Sequence, residues 1–257
     1  ADVVPSARGD LFWRPVAELE QATAEADGLE ALVSADFRTP EPVGLARLEG
    51  GRACLLLEWL PLSPLPSSAC DRLAEQLCRW HQAAPAEGFG WHRDNYIGNT
   101  PQSNQAHAHW HCFFLEQRLR PQLSLAQAVL PPDLIGRVER VMEALPALLE
   151  GALSPTRVHG DLWRGNLAWS EVQPAMYDPA VYQGSPEVDL AMLELFGEPV
   201  AGLLQACQHY YALDEGFALR KQVYHLYHFL NHFNMFGQEW ASSVALACDR
   251  ILAEVRA

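Results

Sequence analysis

Two polar segments of the 257-residue chain carry side chains that could do chemistry together. The first reads His159-Gly160-Asp161-Leu162-Trp163-Arg164-Gly165-Asn166, and a short step later comes Met176-Tyr177-Asp178-Pro179-Ala180. Joined, they give H-x-D-x-x-x-x-N followed by a strand that ends in Asp. Transfer of a phosphoryl group needs such a set. One carboxylate positions the acceptor hydroxyl and takes its proton, while an amide oxygen and a second carboxylate hold Mg²⁺ against the phosphates. Asp161 is then the candidate base, with Asn166 and Asp178 as candidate metal ligands. Hard oxygen donors suit Mg²⁺, which keeps several waters and shares phosphate oxygens. His159 is expected to brace the loop by hydrogen bonding rather than to react. Either segment alone reads equally as a turn with a satisfied histidine, or as a strand running into a turn. Their combination and spacing carry the inference.

The elements that must position these groups follow from periodicity. Asp10 to Arg14 reads as a short strand and Ala17 to Ser34 as a helix with apolar residues at helical spacing. Glu49-Gly50-Gly51 makes a turn, and Ala53 to Trp59 is a continuous apolar run typical of a buried strand. Pro61, Pro64 and Pro66 then break the chain and suit a connector. Helices are expected over Ala69 to Ala84, Trp110 to Ala128 and Asp133 to Leu149, the last opened by Pro131-Pro132-Asp133. Gly88 to Asn104 reads as an ordered loop, Arg157 to Tyr182 as short strands and turns, and the chain from Glu187 onward as helical. The expected architecture is α+β: a small β-rich lobe over residues 1–60, a connector over 61–68, and a large, mainly helical lobe over 69–257.

Several segments resemble the fructosamine/ketosamine kinase family. His159 to Asn166 is similar to its HGDLWSGN signature, with Arg164 in place of Ser. Tyr177 to Tyr182 and Glu187-Val188-Asp189-Leu190-Ala191-Met192 resemble its DPA…E-x-D-L-A-M stretch. Asp94 to Asn104 resembles its DN-x-I-G-x-T-P-Q-x-N loop, and Trp110 to Leu123 and Tyr227 to Phe236 also match. The resemblance covers most of the chain from about Ala24. It implies a two-lobed protein-kinase-like fold, shared with aminoglycoside phosphotransferases. It also implies ATP- and Mg²⁺-dependent phosphorylation of the 3-hydroxyl of a ketoamine sugar, which in the family reverses early glycation.

The resemblance extends to further positions. Glu58-Trp59-Leu60 falls where backbone groups between the lobes would meet adenine. Glu25 matches the helix glutamate that pairs with the phosphate-binding lysine, and Leu11-Phe12-Trp13-Arg14 puts Arg14 at that lysine's position. Trp163, two residues after the candidate base, could stack on the sugar, or could equally be a core tryptophan. Asn95, Thr100 and Gln102 are candidates for the acceptor pocket, turn stabilisation being the other reading. Asp189 is expected to tie down the backbone of the catalytic loop.

The N-terminal lobe departs from the pattern. Upstream of Glu25 the only glycine is Gly9, and Lys221 is the only lysine in the chain. A phosphate-covering loop needs glycines, and an arginine fork differs from an ammonium. Three explanations stay open: a stretch missing from the start, an enzyme working with a reduced nucleotide lobe, or a degenerate, weakly catalytic binding protein. A kinase of another hydroxylated amine, such as an aminoglycoside, is a further alternative.

Bulk properties exclude other classes. The formal net charge of −14 repels nucleic acid and anionic lipid. The six cysteines lack paired spacing and read as buried thiols of a reducing, cytoplasmic compartment. His107, His109, His111 and Cys112 alternate as zinc ligands would on a strand, but the segment runs into an expected helix, where they diverge.

Overall fold

The computed structural model describes residues 2–6, 9–34 and 36–255. The outermost positions of the expected lobes, 1 and 256–257, lie outside the described residues. The chain opens with β1 (Asp2–Ser6), which turns back into β2 (Gly9–Val16), and α1 (Leu19–Leu32) follows. Next, β3 (Pro42–Arg47) and β4 (Ala53–Glu58) complete an antiparallel sheet of order β1-β2-β4-β3. Ala53, Leu55 and Leu57 of the central strand pack against Ala22 and Leu29 of α1. The expected strand at Asp10 to Arg14 is thus the middle of a longer one. Strand β3 was not legible because its alternation is inverted. Pro42, Gly44 and Ala46 are the half-buried positions, while Val43 and Leu45 are exposed.

The proline-broken connector holds a short strand, β5 (Leu62–Ser63), which adds to an edge of a sheet further along the chain. An edge strand tolerates neighbouring prolines because one side of it makes no ladder bonds. Helix α2 (Cys70–Gln82) follows, and then the segment read as a loop, which contains a small hairpin of β6 (Asn95–Ile97) and β7 (Thr100–Gln102).

The helix expected from Trp110 to Ala128 is divided. Between α3 (Trp110–Phe114) and α4 (Arg120–Ala126) the turn widens to π geometry over Leu115–Leu119. Pro121 lacks the N–H that the α ladder needs and crowds the carbonyl one turn before it. The widened turn also seats fully buried Arg118, which donates to Ser103 O at 2.7 Å and Asn104 Oδ1 at 2.8 Å. Its guanidinium lies 3.9 Å from the centre of the Tyr182 ring.

After α5 (Pro132–Leu148) come four short strands: β8 (Thr156–Val158), β9 (Leu167–Ser170), β10 (Gln173–Met176) and β11 (Tyr182–Gly184). Strand β9 pairs with β10, and β8 with β11, both antiparallel. The His159–Asn166 segment therefore spans β8 to β9, and Asp178 lies between β10 and β11. Helices α6 (Glu187–Leu195), α7 (Leu203–Cys207), α8 (Phe217–Phe236) and α9 (Ala241–Val255) complete the fold. A core including Phe113, Leu119, Val138, Leu145, Val223, Leu230 and Ile251 holds the helices together. No helix among the described residues is long and apolar enough to cross a membrane.

Candidate active site

The His159–Asn166 loop is tied from beneath by one carboxylate. Asp189, fully buried at the start of α6, accepts the backbone N–H of His159 at 2.7 Å and of Gly160 at 2.9 Å. His81 Nε2 lies 3.1 Å from the same carboxylate, and its Nδ1 lies 2.5 Å from the Tyr211 hydroxyl. Gly160 adopts φ +79°, and a Cβ there would lie 2.3 Å from the Ala180 carbonyl oxygen, so the sharp turn requires glycine. His159 is buried, and burial lowers its pKa and keeps the ring neutral. Its Nε2 lies 3.0 Å from the Tyr177 carbonyl, which links the loop to the segment carrying Asp178.

Asn166 joins the three candidate groups. Its Nδ2 donates to Asp161 Oδ2 at 3.1 Å, to the Asp161 carbonyl at 2.8 Å and to the Asp178 carbonyl at 3.4 Å. All the amide's bonds to described residues go through Nδ2, and Oδ1 makes none. Asp178 adopts φ 55°, unusual for a residue other than glycine, and keeps more than a third of its side chain exposed. Burial pushes the Asp161 carboxyl up to about 7, partly offset by the Asn166 hydrogen bond and reinforced by Asp178 and Asp189.

Arg14 approaches from β2. Its Nε lies 2.8 Å from Glu25 Oε1 on α1, and its Nη1 donates to Asp178 Oδ1 at 2.6 Å. Burial opposes its charge, but the two carboxylates more than compensate, and its pKa is raised. Burial pushes Glu25 the other way for an acid, up to about 7, against the pull of Arg14.

Three cavities run in line through this centre. An apolar cleft at the end of β4, lined by Phe12, Leu57, Trp59, Leu60 and Tyr177, shares Arg14 and Asp178 with a polar cavity that also holds Glu25 and Asn166. The polar cavity shares Asp161, Trp163 and Gly98 with a third, of about 490 Å³, walled by Phe196, Phe236, Trp240 and the α8 residues His228, Asn231 and His232. Asp178 therefore sits at one junction and Asp161 at the other.

Other expected positions are placed as follows. Trp163 lines the second and third cavities, edge-on to Phe196 at 5.5 Å. Glu58 turns its side chain to an ion pair with Arg38. The backbone N–H of Glu58 donates to Glu41 O at 2.9 Å and that of Trp59 to Asp10 O at 3.1 Å. Of this trio, the Leu60 N–H alone has no partner among the described residues. Asn95 borders the polar cavity, but its amide is spent on the Val181 carbonyl at 2.7 Å. Gln102 donates to Asn95 Oδ1 at 2.9 Å and to Ala180 O at 3.2 Å, and accepts from the Tyr227 hydroxyl at 2.6 Å. Thr100 is buried in the same hairpin. Thr100 and Gln102 line none of the three cavities, because the hairpin's polar side chains bolt it to the Ala180–Val181 strand approach. His107 contacts Gln117, His109 stacks on His111 at 5.7 Å, and among the described residues no three His, Cys, Asp or Glu side chains gather as metal ligands.

The third cavity's wall on α8 was not assigned from the sequence. Its signal was available as helical spacing: positions 228, 231, 232, 235 and 236 recur on one face. Nothing in periodicity separates a cavity face from a core face.

Gly165 is where the loop can be tested locally. A Cβ there would lie 2.2 Å from the Trp163 indole. Gly165→Ala is expected to displace that ring and raise the acceptor KM about tenfold. Steady-state kinetics in both substrates checks this, and an unchanged acceptor KM would refute it.

Comparisons with known proteins agree on one family. The profile described as fructosamine kinase matches residues 13–254. A Synechocystis protein named a probable ketoamine kinase is 40% identical over 235 residues, covering 89% of this chain and 78% of its own length. Escherichia coli YniA, also named a probable ketoamine kinase, is 34% identical over 232 residues, covering 90% and 80%. A crystal structure from Thermobifida fusca, provisionally named fructosamine-3-kinase, superposes with a TM-score of 0.84 at 33% identity, over 98% of this chain and 88% of that one. The aminoglycoside phosphotransferase APH(4)-Ia, captured with AMP-PNP and hygromycin B, shares the fold alone, with a TM-score of 0.70 at 15% identity, over 98% and 94%. By sequence profile, relatives and fold, the chain belongs to the fructosamine kinase family.

Proposed function

We propose that the protein transfers the γ-phosphoryl group of ATP to the 3-hydroxyl of a ketoamine sugar, such as a fructosamine or ribulosamine, whether free or protein-bound, as a cytoplasmic step in deglycation. The observation that carries the reading is the row of three cavities with Asp178 at the first junction and Asp161 at the second. An apolar cleft beside Leu60 suits a purine. The polar cavity suits a triphosphate, and the aromatic one suits a sugar bearing an amine. The names of the relatives point to the same acceptor class.

The donor set fits Mg²⁺. Asn166 and Asp178 are two hard oxygen ligands, and this ion commonly takes only one or two from the protein and the rest from phosphate and water. When bound there, the ion would neutralise charge on the phosphates. The remaining chemistry belongs to the chain. Asp161, desolvated and close to neutral pKa, accepts the proton of the acceptor hydroxyl. The freed oxygen bonds to the γ-phosphorus as the bond to ADP breaks. Asn166 fixes the Asp161 carboxylate through Oδ2 and leaves its other oxygen for the acceptor. Arg14 presents a cation beside Asp178, where the phosphates would lie. Trp163 and the aromatic wall hold the sugar and exclude water.

One observation favours a second reading. Arg14 replaces the compact lysine ammonium and engages Asp178 directly, as it would in a nucleotide-binding protein with little turnover. Incubation with Mg·ATP and fructosyl-lysine, followed by ³¹P and ¹³C NMR of the product, decides between the two. A 3-phosphate ester supports the first reading. Tight nucleotide binding with no ester from any ketoamine supports the second, and an ester at another hydroxyl would correct the site of transfer.

A further inference from the structure

The acceptor cavity contains two buried polar side chains whose hydrogen-bonding capacity the protein leaves unused. His228 is 4% exposed and lines the cavity together with Asp161 and Trp163. Its Nδ1 is buried without a partner. Its Nε2 likewise makes no hydrogen bond to any described residue. The backbone of His228 is engaged, accepting from His232 Nδ1 at 2.8 Å, and the ring lies edge-on to that of Tyr227, with centroids 5.0 Å apart, a contact that engages neither nitrogen. Burial drives the imidazole pKa well below its usual value, helped by the nearby His225, His232 and Arg118, so the ring is neutral. Three positions on, Asn231 is 1% exposed and lines the same cavity. Its Oδ1 accepts from Gln122 Nε2 at 3.2 Å, which orients the amide, and its Nδ2 makes no hydrogen bond to any described residue.

A buried polar group is normally bonded, because leaving it unpaired costs its desolvation. A neutral imidazole with both nitrogens idle would be better replaced by an apolar residue if its task were packing. Its position offers another task. It lies one helical step from Asn231 on the cavity face of α8, and Asp161, the proton acceptor, closes the same space. Sugar hydroxyls are both donors and acceptors, so they match an imidazole and an amide that retain unfilled capacity.

We propose that His228, supported by Asn231, reads a hydroxyl of the acceptor sugar adjacent to the one that is phosphorylated, and so sets both the sugar's orientation at Asp161 and its selectivity. The inference rests on the acceptor assignment made above. A site built to bond a hydroxyl discriminates strongly against an analogue that lacks it, because its own polar groups are then left unpaired. The wild-type enzyme should therefore distinguish a fructosamine from one of its single-deoxy analogues, and that distinction should depend on His228.

The test compares wild type, His228→Phe and His228→Gln on a fructosamine and a panel of its single-deoxy analogues, with thermal melting and ATP binding measured alongside. H228F keeps the ring's shape and removes both nitrogens. Its kcat/KM for the fructosamine is expected to fall about 10- to 100-fold, and its preference over one deoxy analogue to vanish. H228Q should recover part of both. Melting temperature and ATP affinity should hold or rise in H228F, since an unpaired polar group has been removed. Full activity and undiminished discrimination in H228F would overturn the proposal while leaving the kinase reading intact. So would a fall in melting temperature accounting for the lost activity, since the ring would then be a core residue. Wild-type inactivity towards every ketoamine would overturn the acceptor assignment and this proposal together.

Discussion

Asp161→Asn is expected to lower kcat by about 10³-fold, within the range for removing a positioned general base. The substitution keeps the shape of the side chain, and the new amide can still offer its oxygen to Asn166 Nδ2, which lies 3.1 Å from the carboxylate now. What is lost is the capacity to accept a proton from the acceptor hydroxyl. Asp161 lines the polar cavity as well as the acceptor cavity, so nucleotide affinity is measured alongside to separate a change in binding from lost proton transfer. The measurement is single-turnover transfer with bound ATP, beside a melting curve. A loss below tenfold with the fold intact would mean that another group takes the proton, and none of the polar residues in the third cavity other than His228, His232 and Glu239 is placed to do so.

Asp189→Ala should produce the largest loss of stability. The carboxylate is fully buried and receives two backbone N–H groups, those of His159 and Gly160, with His81 beside it. Removing it leaves three buried groups unpaired, at about 1–3 kcal/mol each, so a total of about 3–5 kcal/mol is expected after relaxation. For a chain of this size that corresponds to a fall in Tm of about 10 °C. Activity should fall with it even below the melting transition, because Asp161 follows directly on the two residues that Asp189 holds. Urea unfolding and kinetics at low temperature test both parts. A variant as stable as wild type would show that the loop holds its own turn, and that the Gly160 conformation does not depend on this anchor.

The structure brings Asp161, Asn166 and Asp178 together, as their offsets in the sequence suggest. Asp161 and Asn166 belong to one loop whose length sets their separation, and Asp178 ends the hairpin that returns to it. Glu25 and Arg14, suggested only by resemblance, are brought together by a strand and helix adjacent in the chain. The acceptor-side residues were less legible for a physical reason. Asn95, Thr100 and Gln102 look like ligand-binding polar residues in a loop, but the hairpin is short and buries Ile97 as its one core residue. Its amides are consumed in fastening it to the strand approach at Ala180 and Val181. The aromatic wall is formed by α8 with Phe196 and Trp240, far apart in sequence, and only tertiary packing joins them. In the N-terminal sheet, β3 escaped notice because its apolar side chains face outward.

In the proposed reaction Asp161, Asn166 and Asp178 serve a single magnesium–nucleotide complex with a ketoamine hydroxyl lying against the first of them. Its most direct measurement is transfer of ³²P from γ-labelled ATP to a fructosamine, followed with and without Mg²⁺ in wild type, D161N and Asp178→Asn. Label is expected in the ketoamine with Mg²⁺ and wild-type protein, at about a thousandth of that rate with D161N, and none in the parent amine. Equal labelling by either variant, or labelling that survives chelation of the metal, would contradict it.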